Sequence, residues 1–153
     1  MINDGRLKLG SFIVAGAGFL DSLYLSWTKL AHTEVYCAGS SNCQTVNSSP
    51  YAEIAGVPIA ILGIGAYLSL LVLLALERHG GFWRANSPLI FFGISLAGVL
   101  YSIYLTYIEL FVLRAICPYC LVSAIALVVL LILAIFRLSR DQAELTPIGN
   151  GGD

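Results

Sequence analysis

The chain has 153 residues, 58% of them hydrophobic and 11% charged, with 8 Lys+Arg against 9 Asp+Glu for a net charge of -1. Soluble domains carry about 25% charged residues. The composition therefore excludes an ordinary water-soluble domain, a disordered tail protein, a secreted disulfide miniprotein and a basic nucleic-acid binder. The apolar residues fall in blocks, as in an integral membrane protein.

About 20 apolar residues in a helix cross the hydrocarbon layer, and four windows of that length occur, at 9–28, 57–76, 89–108 and 117–136. They lack the alternation of barrel strands, and a lone span in lipid must satisfy its backbone internally. The fold class is accordingly all-α, a four-transmembrane-helix bundle over residues 1–140. The first window follows Arg6 and Lys8, as a signal peptide would, but it is long for one and no A-x-A site follows. It is read as a retained span. It holds one charge, Asp21, about a third of the way in from its C-terminal end. Ionisable groups at such depth face a cavity or a partner, which makes Asp21 a candidate for proton handling or for a helix–helix hydrogen bond.

Residues 29–56 form a loop too long for a simple connection. It holds Cys37 and Cys43, separated by Ala-Gly-Ser-Ser-Asn, a flexible spacer that lets the pair open and close and lets Cys43 reach toward the fourth span. Ser49-Pro50-Tyr51-Ala52-Glu53 predicts a short half-helix over the membrane mouth, with Ser49 as N-cap and Pro50 at its first position. Gly56 and Pro58 end it before the second span. Small residues in the spans (Ala60, Gly63, Gly93, Ala97) permit close helix approach. In the third span Tyr101, Tyr104 and Tyr107 recur at helical spacing. Tyr101 and Tyr104, the deeper two, are candidates to line a pocket. Glu109 and Arg114 are expected to pair loosely at the surface of the short link that follows. Trp27 and Trp83 read as interface anchors.

The fourth span opens with Cys117-Pro118-Tyr119-Cys120. The N–H groups and dipole of a helix N-terminus favour a thiolate at Cys117, and Pro118 suits the first turn. Cys120 lies on the same face about 4.5 Å deeper, so one sulfur looks toward water and the other toward lipid. Ala124 shares that face. From Asp141 to Asp153 the chain is polar and aperiodic and reads as a disordered tail.

Basic residues orient the bundle. Arg6, Lys8, Arg78, Arg84, Arg137 and Arg140 lie on one side, Lys29 and Arg114 on the other. Both termini are then cytoplasmic, and all four cysteines face outward, where disulfides persist. Two dithiols on one membrane face suit redox exchange. A zinc site is disfavoured because His32 and His79 fall on opposite sides and no histidine lies near the cysteines, so no metal is expected. Two static disulfides in a non-enzymatic scaffold are the competing reading, against which the short CxxC ring gains little as a staple.

Cys37-x5-Cys43, Val46, Ser49, Tyr51-Ala52, Ile54, Gly56-Val-Pro58 and Ile116-Cys-Pro-Tyr-Cys120 resemble bacterial vitamin K epoxide reductase homologues. The other disulfide-generating four-helix family, DsbB, carries its CxxC in the first outward loop, the reverse of the order here. The resemblance covers about residues 10–138 and implies four helices around a quinone, ubiquinone or menaquinone, in a bacterial inner membrane. It implies that Cys120 reduces the quinone, Cys117 closes the disulfide with it, Cys43 attacks that disulfide, and Cys37 resolves the intermediate and meets the partner. That partner is a DsbA-like or thioredoxin-like protein, expected in trans because no fused domain follows the last helix. Vertebrate members carry tyrosine where Ala124 stands, so thiol oxidation coupled to quinone reduction is the expected activity. The alternative is vitamin K epoxide or quinone reduction with a dithiol donor.

Overall fold

The computed structural model describes residues 4–37, 42–77 and 80–145. Among them, helices α1 (Asp4–Leu30), α3 (Ile59–Leu76), α4 (Phe82–Tyr107) and α5 (Pro118–Leu145) are the long ones, and each contains a stretch apolar and long enough to cross a membrane. They form an antiparallel ring in which α1 packs on α3 and α5, and α4 packs on the same two. The four windows of the sequence are thus the four helices. Helix α4 starts earlier than expected and carries Pro88 inside it. Helix α5 extends to Leu145, so the residues from Asp141 continue the last helix rather than opening a tail. The rest of the expected tail, 146–153, lies outside the described residues.

Small residues set the helix spacing, though not always those expected. A β-carbon on Gly18 would stand 2.2 Å from the Tyr67 ring, one on Gly63 2.8 Å from Ser22 Oγ, and one on Gly98 2.9 Å from Leu127. Gly93 meets nothing. Absence of a side chain therefore lets α1 approach α3 and α4 approach α5. Ala15, Tyr67, Leu70, Phe91, Leu127, Leu130 and Ala134 fill the middle of the ring. The outer faces stay apolar and exposed, including Ile13, Leu20, Leu100, Ile125 and Phe136, as a lipid-facing surface requires.

The loop after α1 is ordered by local rules. Helix α1 ends in a Schellman turn: Thr33 N–H reaches Thr28 O, His32 N–H reaches Lys29 O, and His32 takes the left-handed conformation, φ 51°. Helix α2 (Asn42–Asn47) follows and carries Cys43. The half-helix anticipated at Ser49 is a single 3-10 turn, Pro50–Ala52. Ser49 does not cap it: the hydroxyl donates back to Val46 O at 2.8 Å, closing the end of α2. A minimal hairpin then pairs β1 (Glu53–Ile54) with β2 (Val57–Pro58). Its turn residues Ala55 and Gly56 both have positive φ, the signature of the primed turn that matches strand twist. The spacer at 38–41 lies outside the described residues. Lys29 fastens the loop to α1, donating to Asn47 O at 2.8 Å and pairing with Glu53 at 3.0 Å.

At the opposite end of the bundle Glu77, capping α3, pairs with Lys8 of α1 at 3.1 Å and with Arg137 of α5. Arg137 also lies over the Phe91 ring of α4, 5.6 Å from its centroid. This cluster ties all four helices together. Glu77 and Arg137 are both buried, whereas Lys8 is half exposed, so the inner pair dominates. Removing one partner of a buried pair strands the other charge, at a cost of about 3–5 kcal/mol, while an exposed pair contributes about 1 kcal/mol or less. Glu77→Gln is therefore expected to lower the thermal midpoint in detergent strongly and Lys8→Ala only slightly. Equal, small shifts in both variants would contradict this ranking.

Candidate functional site

At the loop end of the bundle the four cysteines come together. Cys43 (0% exposed) and Cys117 (1% exposed) belong to one buried cluster with Leu25, Val35, Val46 and Ala115, and Cys37 and Cys120 pack against it. Cys37 and Cys43 form a disulfide with Cα atoms 6.1 Å apart, and Cys117 and Cys120 are free thiols. Two dithiols 74 residues or more apart in sequence are thus neighbours because α2 is folded back over the start of α5.

Local structure explains the chemistry of the inner pair. Leu121 N–H donates to Cys117 O at 3.1 Å, making Cys117 the N-cap of α5. Its sulfur accepts from the free N–H groups of Tyr119 and Cys120 and from the Cys120 thiol. A thiol so stabilised as thiolate is a good leaving group in exchange. Pro118 occupies the first helical position, where a missing N–H leaves nothing unsatisfied.

Beneath the cysteines lies a cavity of about 320 Å³ reached by residues of all four long helices and of the loop. Asp21 and Leu25 of α1, Ala66 and Tyr67 of α3, Tyr101 and Leu105 of α4, and Cys117, Cys120 and Ala124 of α5 line it. Val46, Tyr51 and Ile54 cover it from the loop. Asp21, Tyr101 and Ala124 therefore share one space with the CxxC. Asp21 Oδ2 is buried without a hydrogen-bond partner among the described residues. Tyr67, which no sequence signal singles out, donates to Ser123 O at 3.0 Å and shares a hydrogen bond with Ser123 Oγ at 2.9 Å. Among the described residues no group of three or more His, Cys, Asp or Glu is arranged to hold a metal ion.

Tyr104 is not part of this lining. It is half exposed, and its ring sits beside that of Tyr101 with centroids 6.0 Å apart. The cavity stripe of α4 runs through Gly98, Tyr101, Ser102, Leu105 and Thr106. A step of three residues from Tyr101 falls about 60° short of a full turn, which carries Tyr104 to the outer surface, as it does Tyr107.

Glu109 also departs from its expected place. The third span does not stop at 108 but continues as a π-helical turn, Ile108–Leu113, closed by Arg114 in the left-handed conformation. The wider turn rolls Glu109 inward. It is 6% exposed, lines the cavity, and its Oε2 accepts the Cys117 N–H at 3.2 Å. The expected surface pair with Arg114 does not form. Only the π turn, invisible in apolar periodicity, distinguishes the two outcomes.

The outer dithiol is held by a pair of tyrosines. Tyr119, inside the CxxC, donates its hydroxyl to Tyr36 O at 2.9 Å, and Tyr24 of α1 accepts the Tyr36 N–H at 3.2 Å. Their rings meet at 5.3 Å. Both backbone groups of the residue preceding Cys37 are thereby engaged.

Comparison with known proteins bears on this arrangement. The vitamin K epoxide reductase family model matches residues 10–135. The thiol-disulfide oxidoreductase LTO1 of Arabidopsis thaliana is 34% identical over 111 residues, which is 69% of this chain and 30% of that relative, so the chain spans less than a third of the relative's length. With the match extending over most of its length, through all four long helices and both cysteine pairs, the chain belongs to the vitamin K epoxide reductase family.

Proposed function

We propose that the protein is a membrane thiol oxidoreductase that makes disulfides by passing electrons from a thioredoxin-fold, DsbA-like dithiol protein to a membrane quinone, ubiquinone or menaquinone. The observation that carries this reading is the packing of two cysteine pairs in one cluster, one carried by the loop and the other opening on an apolar cavity. A disulfide scaffold has no use for two free thiols beside an enclosed space. The relative described above is named a thiol-disulfide oxidoreductase, which supports the same class.

The cavity suits a quinone head. Its volume lies at the lower end of the range of small-molecule sites, about 300–1,000 Å³, and its walls combine apolar side chains with Tyr101, Ser102 and the orphaned carboxylate oxygen of Asp21. A bound quinone would supply a two-electron, two-proton acceptor. The sequence of exchanges follows the family assignment. Reduced Cys43 attacks Cys117 of the inner disulfide and releases Cys120. Cys37 then attacks Cys43, closes the outer disulfide and releases Cys117. The described pairing, outer disulfide closed and inner thiols free, corresponds to the moment after this exchange. Cys117 and Cys120 next return their electron pair to the acceptor, Cys120 from the cavity side, with Asp21 holding a proton on the wall formed by α1.

The lysine and arginine asymmetry of the loops favours a bacterial cell membrane orientation with both termini in the cytoplasm and the cysteines outside. Direction of flow depends on potential, about 1.4 kcal/mol for each 30 mV.

Two outcomes are expected. In protein reduced and freed of reductant, a soluble quinone should convert free thiols to disulfides, and Cys120→Ala should lose this reoxidation while still forming mixed disulfides with a dithiol protein. Thiol titration showing no loss on quinone addition to the unaltered protein would overturn the assignment. Cys37→Ala should accumulate a Cys43–Cys117 bridge, and a mass-spectrometric map without it would overturn the order of exchange.

A further inference from the structure

Oxidation of a dithiol by a quinone must route two protons, and the inner pair faces the apolar cavity, with Cys117 buried and Cys120 partly buried on the cavity wall. Cys117 is 1% exposed and Cys43, which covers it, is 0% exposed. A group that accepts a proton from Cys120 has therefore to touch it inside the protein. Glu109 does so. Its carboxylate contacts the Cys120 thiol and also holds the Cys117 N–H at 3.2 Å, and it faces the same cavity. Its own backbone is fixed at the end of the π turn, where Glu109 O accepts from the N–H groups of Arg114 and Ala115.

The charge environment fits a group that gains and loses a proton. Lys29 is taken by Glu53, and Lys8 and Arg137 by Glu77, so none of these cations neutralises Glu109. A carboxylate buried without a cation is costly, and a protonated one is not. The Cys117 N–H and the Cys120 thiol orient the carboxyl without supplying a compensating charge. A structural carboxylate would be expected to bring a cation with it, as Glu77 does at the other end of the bundle.

We propose that Glu109 is the catalytic base of the inner dithiol, taking the Cys120 proton as that sulfur is oxidised and passing it on across the cavity. The inference rests on the quinone-linked reading above. In the step concerned an S–S bond forms between the Cys117 thiolate and Cys120, the Cys120 S–H bond breaks, and the electron pair and two protons reach the two oxygens of the quinone. Glu109 carries the proton of Cys120. The other is supplied by Asp21, which holds a proton on the cavity wall formed by α1, diagonal to α4 in the ring.

The test uses the full-length protein in detergent, fully reduced, with decylubiquinone as acceptor in single-turnover mixing. Glu109→Gln is expected to slow inner disulfide formation about 10²-fold, the range of general acid–base catalysis, and Glu109→Asp to retain part of the rate. Alkylation of Cys120 by N-ethylmaleimide in the absence of quinone should not slow in Glu109→Gln, because removing a neighbouring negative charge does not disfavour the thiolate. The Cys43–Cys117 bridge of Cys37→Ala should still form when Glu109→Gln is added. An unchanged single-turnover rate overturns the proposal. So does a parallel loss of alkylation, bridge formation and turnover, which marks a purely structural role. Failure of the unaltered protein to react with decylubiquinone instead overturns the parent reading, while the alkylation and bridge results identify that failure as distinct.

Discussion

Sulfur exchange works only at bonding distance, and the rest of this fold can be understood as the means of bringing the cysteine pair of the loop to the pair that opens the last helix. Cys117 is fixed because it caps a long helix, and Cys43 is fixed because a six-residue helix is packed over that cap. Everything nearby serves the juxtaposition. The Schellman end of α1 aims the chain back across the bundle, Lys29 clamps the far side of the loop, and the hairpin returns the chain to α3.

The bundle itself is built differently at its two ends. One end is closed by the buried Glu77–Arg137 pair with Lys8 and Phe91, which engages every long helix. The other end encloses a cavity whose roof is loop rather than helix. In between, helix contacts depend on missing side chains at Gly18, Gly63 and Gly98, since in lipid close packing replaces the hydrophobic drive between helices. Asymmetry of this kind gives a foot closed by charge and a mouth that holds a cavity.

Apolar windows alone were enough to find the four helices, because a membrane span has few ways to hide polar backbone. The CxxC was equally plain, and its position at a helix start followed from Pro118. Side-chain directions near the ends were harder. Tyr101 and Tyr104 look equivalent in sequence, yet one step of three around the helix separates cavity from lipid. Glu109 was misplaced because a π turn adds a residue to the coil without any mark in hydropathy. Ser49-Pro50 carried a sound helix-start signal, but the hydroxyl found Val46 O first, a competition that local sequence does not decide.

The tyrosine pair around residue 36 has a mechanical consequence. Tyr119 belongs to the inner CxxC, while the segment it grips leads directly into the outer disulfide. Displacement of residue 36 therefore strains the first turn of α5, and a shift of that turn moves the segment leading to Cys37. The two cysteine pairs are joined by a lever as well as by proximity, so movement at the outer pair is transmitted to the roof of the cavity.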